Sequence, residues 1–463
     1  MDFLTNLVEV VNNYLWNYVL LFLLVGTGVY FSVRLRFIQV RKLGAGLKHT
    51  FGGLTLHGEK ADHEGMSSFQ ALATAVAAQV GTGNIAGAAT AIVSGGPGAI
   101  FWMWVSAFFG MATNYTEAVL AQKYRSTDEK GKVVGGPVYY IKAAFPNGFG
   151  KFLAGFFSVA IILALGFMGN MVQSNSISDA MYNAFGVPKI VVGVAVALVA
   201  GFIFLGGVQR IVSVTEKLVP VMALLYIGGS LIVLACNWRS LPGVIASIFV
   251  AAFDPAAVLG GAAGITVQKA MRFGVARGLF ANEAGMGSTP HAHALAKVEK
   301  PQDQGITAMI GVFLTTFVIL TLTALVILST GAAASGLTGA ALSQYAFATV
   351  FGKAGNVFIA LCMLFFAFST IVGWYLFGQM NVKVLLGERA VKPYALLVVM
   401  FIAVGACLKV QLVWDAADLF NGLMVLPNLL ALLALSKLVV NLERACRADE
   451  ETMGKPAASA CGE

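Results

Sequence analysis

Uninterrupted apolar stretches long enough to cross a bilayer recur along almost the whole chain, and nothing else in the sequence limits the possible folds so tightly. A hydrocarbon core of about 30 Å takes roughly 20 apolar residues per helix, and this chain offers about eleven such stretches joined by short polar loops. Lipid cannot satisfy exposed backbone N–H and C=O groups, so each stretch has to form a helix that satisfies its own. The predicted class is an all-α polytopic membrane protein. With 58% hydrophobic and 11% charged residues among 463, and a mean hydropathy of +0.81, an ordinary soluble enzyme is excluded. The first apolar run has no basic segment before it and leads into Arg34 and Arg36 instead of a small-residue cleavage site, so the first helix is expected to be retained.

The predicted spans are approximately 14–35, 68–94, 98–121, 152–183, 189–207, 215–236, 244–273, 305–331, 354–386, 391–408 and 412–441. An odd number puts the termini on opposite sides. Basic residues gather in alternate connections, including Arg34 to Lys60, Lys123 to Lys151, Arg210 with Lys217, Lys269 to Lys300, Lys383 to Lys392, and the tail from Lys437. Of the 30 Lys and Arg, Lys189, Arg239, Lys353 and Lys409 fall elsewhere. Positive loops face the cytoplasm, which predicts a plasma (bacterial inner) membrane protein with its N-terminus outside and C-terminus inside. The net charge of +8 is thereby a matter of topology, and its scatter over many loops argues against a nucleic-acid partner. Cys236, Cys362, Cys407, Cys446 and Cys461 show no close metal-ligand spacing and read as small fillers of helix interfaces.

After the first helix, the ten remaining spans divide into five and five, and the odd number in each half turns the second upside down relative to the first. That is the arithmetic of an inverted repeat, with boundaries at 1–66, 67–236, 237–441 and a tail at 442–463. Each half opens with a span interrupted by glycine: Val80-Gly81-Thr82-Gly83-Asn84 in the first, Gly260-Gly261-Ala262-Ala263-Gly264 in the second. Glycine weakens a helix by about 1 kcal/mol relative to Ala, and a broken helix exposes backbone groups that must face protein, water or a ligand. Close helix packing is the plain alternative for either run, and matching positions in the two halves favour a binding site.

At Gly81-Thr82-Gly83-Asn84-Ile85-Ala86-Gly87, and again at Gly95-Gly96-Pro97-Gly98, Gly135-Gly136-Pro137, Gly169 to Asn175, Val275 to Phe280 and Asn282-Glu283-Ala284-Gly285-Met286-Gly287-Ser288, the sequence resembles the alanine-or-glycine:cation symporter family. The resemblance is strong over roughly 65–380. It implies eleven helices, ten of them in the leucine-transporter-type five-plus-five fold with one extra N-terminal helix, and uptake of small neutral amino acids driven by sodium or, less often, protons. Two positions depart from the family pattern: Ala262 replaces a frequent aromatic residue, and Thr315-Thr316 an Asp–Thr pair.

An amino-acid zwitterion brings a carboxylate and an ammonium into low dielectric, and half-helix ends are suited to replacing both hydration shells. The N–H groups around Thr82, Gly83 and Asn84 open the second half of a broken helix, whose positive dipole end suits the carboxylate. Carbonyls near Gly260, Gly261 and Gly264, with Ala262 at the wall, are placed for the ammonium. Gln173 is a neutral donor and acceptor, and the resemblance implies that its position contacts substrate. The same fold implies a sodium site joining Ser369 and Thr370 to carbonyls just before the first break, here Ala77 and Val80. Without the resemblance, those hydroxyls would be read as bonding their own helix. Trp374, one turn beyond Thr370, is expected to close over the substrate.

Glu117 and Glu283 are acidic groups near the membrane interior and call for partners. Pairing with Arg125, Arg272 or Arg277 would make an inner gate of Glu117, Arg277 and Glu283. His291 and His293 diverge on a helix and make a weak metal motif. A membrane-embedded hydrolase would need a nucleophile–base pair or a metal cluster, and the sequence shows none; a passive channel would show charged rings in place of two broken helices. The reading is a secondary active symporter for small neutral amino acids with sodium as the coupling ion, a proton being the alternative. No catalytic residues and no bound cofactor are expected.

Overall fold

The computed structural model describes residues 2–52, 66–128, 131–259, 265–408 and 410–452, and nearly all of them are helical. Among them, six helices are long and apolar enough to cross a membrane: Val8–Arg34, Gly148–Phe185, Gly207–Cys236, Pro301–Ser329, Lys353–Leu386 and Val413–Ala434. A seventh span is formed if Ser68–Gln79 and Gly83–Gly95, bent by 48°, count as one. Gly98–Lys123 runs for 26 residues, and Lys189–Phe204 and Val391–Gly405 are shorter. The strand content is a two-residue hairpin, Ser126–Thr127 with Val133–Val134.

Local chemistry sets several boundaries. Ser67 and Gln70 form a reciprocal capping box at the start of Ser68–Gln79. Asn147 caps Gly148–Ile161, and Gly186 ends the long helix in a left-handed conformation (φ 69°) that a side chain would resist. Proline occupies the first helical turn at Pro137, Pro290 and Pro301, where its missing N–H has no partner to lose. Lys189–Phe204 turns an apolar face outward through Leu198, Val199 and Phe202, as a lipid-facing helix does.

The interior is different in kind. From Gly110 to Gln122, every residue of Gly98–Lys123 is buried, including Asn114, Thr116 and Glu117. Helix Val267–Asn282 lies alongside it: a Cβ on Gly274 would meet the carbonyl of Ala99 and the Trp102 side chain, one on Gly278 would meet Met103, and Gly110 faces Ala284. Further along, Glu117 binds Gly285 and Gly287, and Gln122 binds the carbonyls of His293 and Ala296. The two segments thus run parallel, and the second is interrupted between Asn282 and the short helix Pro290–Ala294.

This arrangement changes the expected seventh span, 244–273. The structure has Leu241–Phe253 and Pro255–Leu259, then Val267–Asn282, which continues well past 273. Leu241–Phe253 packs beside the Gly98 end of Gly98–Lys123, where Trp102 Nε1 donates to the Ala252 carbonyl at 3.1 Å. Lys269, Arg272 and Arg277, counted in the sequence with a loop, stand on a helix. Gly339–Phe351, a further helix, was not foreseen. The last predicted span is divided into Val410–Ala434 and Ser436–Thr452. Glu443 on this terminal helix is buried and accepts from Tyr115 at 2.7 Å and Arg41 at 3.3 Å. Cys236, Cys362 and Cys407 are free thiols.

Candidate binding site at two broken helices

The first break lies where the sequence places it. Val80 leaves the helix (φ −89°, ψ 79°), and after Thr82 the chain re-enters through a π-helical turn, Gly83–Gly87. Such turns hold an extra residue against the usual bonding pattern and recur at functional positions. Gly81 is indispensable for steric reasons: a Cβ there would run into Thr370 Oγ1 and stand 3.0 Å from Gln173 Oε1. The Thr82 N–H donates to Gln173 Oε1 at 3.1 Å, so Gln173 reaches the break from helix Asn170–Phe185. Asn84 Nδ2 donates to the Thr315 carbonyl at 2.9 Å, inside a second π-helical stretch, Phe313–Leu320.

Ser369 and Thr370 meet the carbonyl of Ala77 at 3.2 and 2.9 Å. Each also bonds the carbonyl of Phe366 in its own helix, at 2.8 and 3.1 Å. The expected hydroxyl pair and the carbonyl before the break therefore converge, with all four residues, Val80 included, nearly free of solvent. Trp374 is 1% exposed, so it belongs to the interior and not to a lipid interface. Its ring packs over Gly169 and meets Phe280 edge-on at 5.5 Å, while Nε1 donates to Glu283 Oε1 at 2.6 Å.

What faces the first break is the stretch Phe280–Asn282. A Cβ on Gly83 would stand 3.0 Å from Ala281 Cα, and Gln79 Nε2 donates to the Asn282 carbonyl at 2.6 Å. Asn282 in turn donates to Thr316 Oγ1 at 3.2 Å. Gly260, Gly261, Ala262 and Gly264 lie outside the described residues. Glu283, Gly285 and Gly287 all have positive φ (57°, 88° and 80°), which makes this the sharply irregular part of the second broken helix.

The inner-gate ion pairs do not form. Glu117 accepts from the N–H groups of Gly285 and Gly287 and from Asn428 Nδ2, and Glu283 from Trp374 and Ser288. Arg277 is bidentate to Asp418, at 3.0 and 2.8 Å, and lies over the Trp414 ring at 4.6 Å. The reason is geometric: Arg277 sits more than a helical turn before the break, level with the Gly98-end half of its neighbour, whereas both glutamates serve the segment after it. Gln79, Asp418 and Asn428 carry no signal in the sequence, and Asn282 and Ser288 stand there only as the ends of a motif. Among the described residues, no three His, Cys, Asp or Glu side chains gather as a metal site. His291 is used instead in bonds to the Ser288 carbonyl and Asn381.

Four buried polar atoms around the first break have no hydrogen-bond partner: Gln79 Oε1, Thr82 Oγ1, Asn84 Oδ1 and Gln173 Nε2. Each such atom costs about 1–3 kcal/mol unless something satisfies it. Two are amide oxygens that accept, one is an amide nitrogen that donates, and the Thr82 hydroxyl can do either, which suits a ligand carrying both an N–H donor group and an acceptor oxygen.

Solved structures share this architecture. MhsT in complex with L-phenylalanine superposes with a TM-score of 0.58, covering 83% of this chain and 100% of that one at 13% identity. A Na+-coupled sialic acid symporter gives 0.52, covering 85% and 81% at 14% identity. The shared fold is the leucine-transporter-type arrangement of membrane helices. The chain belongs to the sodium:alanine symporter family, whose model matches residues 1–459. An uncharacterized transporter of Haemophilus influenzae is 44% identical over 94% of both chains. The sodium/alanine symporter AgcS of Methanococcus maripaludis is 42% identical over 96% of this chain and 97% of its own. The probable sodium/glutamine symporter GlnT of Bacillus subtilis is 41% identical over 94% and 89%.

Proposed function

We propose that this protein imports small neutral amino acids, alanine and glycine foremost, together with sodium, by alternating access across the bacterial inner membrane. The observation that carries the reading is the set of four unpartnered polar atoms around Thr82, beside the Ala77 carbonyl and the Ser369–Thr370 hydroxyls. In this reading Thr82, Gly83, Asn84 and Gln173 receive the substrate and Trp374 covers it. Sodium is held by the oxygens of Ala77, Val80, Ser369 and Thr370, hard ligands that add no fixed charge. The names of the Methanococcus and Bacillus relatives support sodium coupling and leave room for a side chain larger than methyl.

The reading includes eleven spans with a five-plus-five inverted repeat, the N-terminus outside and the C-terminus in the cytoplasm. The order of elements supports the repeat. Ser68–Gly95, Gly98–Lys123, Gly148–Phe185, Lys189–Phe204 and Gly207–Cys236 are answered by Val267–Ala294, Pro301–Ser329, Lys353–Leu386, Val391–Gly405 and Val410–Ala434. A short helix stands between the second and third members of each half, at Pro137–Ala144 and Gly339–Phe351. This correspondence moves the second interruption from Gly260–Gly264 to Glu283–Ser288. Glu117 and Glu283 then belong to the cytoplasmic side of the site and Arg277 to the outer side.

The test is uptake of one labelled amino acid at a time into proteoliposomes, with and without an inward sodium gradient. Alanine should accumulate only with sodium, and faster with the interior made negative by a potassium–valinomycin potential, since 100 mV contributes about 2.3 kcal/mol per charge. Accumulation that follows an imposed proton gradient and ignores sodium would overturn the coupling ion.

A further inference from the structure

Glu117 is fully buried, and both of its oxygens are committed to the second break. Oε2 accepts from the Gly285 N–H at 2.9 Å; Oε1 accepts from the Gly287 N–H at 2.9 Å and from Asn428 Nδ2 at 2.6 Å. No Lys or Arg pairs with it among the described residues. Gly285 and Gly287, with φ of 88° and 80°, turn their N–H groups toward one point, and backbone N–H groups converging in this way form a nest for an anion. A carboxylate in low dielectric is costly unless its lone pairs are filled, and three N–H donors fill them. Asn428 closes the cluster by accepting from Tyr140 at 2.5 Å and donating to the Gly285 carbonyl at 3.0 Å.

We infer that Glu117 is a positioning residue whose carboxylate is the resident anion of the Gly285–Gly287 nest, and that a small free carboxylate can take its place. Three residues before Gly285, the Asn282 carbonyl accepts from Gln79 at the first break. The nest therefore sets where the second break stands relative to the first, and Glu117 acts on the substrate through backbone it does not share. The inference rests on the transport reading for its effect on uptake, and on geometry alone for the nest.

Glutamine at this position keeps the shape but offers one acceptor oxygen and an NH2 group, which faces the second N–H donor to donor. Three purified full-length proteins decide the matter: wild type, Glu117→Gln and Glu117→Ala. In proteoliposomes, Glu117→Gln should raise the KM for alanine at least about tenfold, the equivalent of one lost charge-assisted bond of roughly 1.5 kcal/mol. Uptake by Glu117→Ala should be low and should recover several-fold in sodium formate or acetate, but not in formamide, which has the same size without the charge. In detergent, hydrogen–deuterium exchange of the peptide over Glu283–Leu295 should be faster in Glu117→Gln than in wild type. A Glu117→Gln protein with wild-type KM and wild-type exchange overturns the inference, as does recovery of Glu117→Ala by formamide to the same extent as by formate. If wild type accumulates no amino acid while the exchange difference persists, the transport reading falls and the nest stands.

Discussion

The two interruptions in this protein are finished in opposite ways. At Val80–Thr82 the chain contributes a single sterically required glycine and leaves Gln79, Thr82, Asn84 and Gln173 each with a buried atom unpartnered. At Glu283–Ser288 it uses two left-handed glycines, and the surrounding Glu283, Ser288, Glu117, Asn428 and Asn282 are filled from Trp374, Tyr140, Thr316 and the backbone. Polar atoms left unpaired are unfavourable in a protein interior and persist where something else completes them; polar atoms fully paired hold a conformation. Under the proposed reading, the open polar atoms of the first break are the ones a ligand would meet, and the paired ones of the second hold its shape.

Substitutions that erase the difference should have graded effects. The largest is expected from Gly81→Ala, whose Cβ would enter the space of Thr370 Oγ1 and Gln173 at once. A displacement of about 1 Å in a preorganised site costs roughly 100-fold, so sodium-driven alanine uptake should fall by about that factor while the protein remains monodisperse. Near-normal uptake would mean that the first break does not bind cargo. Next comes Ser369→Ala with Thr370→Ala, removing two oxygens at about 1 kcal/mol each. The sodium concentration for half-maximal uptake should rise roughly 30-fold; if it stays put, both hydroxyls serve only the Phe366 carbonyl.

Gln173→Leu should follow, with a KM for alanine about tenfold higher, since one hydrogen bond in a dry site is worth about 1–1.5 kcal/mol. An unchanged KM would assign Gln173 to holding Thr82 alone. The last substitution lies in the second break itself and is read first in stability. Gly287→Ala adds a Cβ at φ 80°, 2.8 Å from Phe157. The left-handed conformation costs about 1–2 kcal/mol in a non-glycine residue, so this variant should announce itself first as a lower midpoint in thermal unfolding. A midpoint equal to wild type, with transport lost, would reverse the roles given to the two breaks.

The same contrast governs how much of the molecule was legible in the sequence. The first break was, because Val80-Gly81-Thr82-Gly83-Asn84 interrupts an apolar run of uniform character. For the second, the sequence points to Gly260–Gly264, which lie outside the described residues, and not to the irregular stretch Glu283–Ser288, because Lys269, Arg272 and Arg277 give the segment before it the look of a solvated loop. What keeps Arg277 in the interior is Asp418, 141 residues away, and no local window of sequence contains that pairing. Glu117 and Glu283 were recognised as needing partners, but ion pairs were expected where backbone amides, Asn428, Ser288 and Trp374 do the work. The hydroxyls of Ser369 and Thr370 lie within hydrogen-bonding distance of the Ala77 carbonyl, on two helices whose lengths and order are readable.

The pairing of Arg277 with Asp418 also imposes a schedule on how the protein is made. A ribosome adding about 5–20 residues per second takes roughly 7–30 s to travel the 141 residues between them. During that interval the nascent chain carries an arginine whose unpaired charge costs about 2.5–3.5 kcal/mol at the centre of a membrane helix. The Arg277–Asp418 pair can close only once Val410–Ala434 has been made, so the interior of the second half is completed from its far end. Chains stalled before residue 410 should leave Arg277 within reach of water-soluble chemical labels, and chains released after residue 434 should hide it.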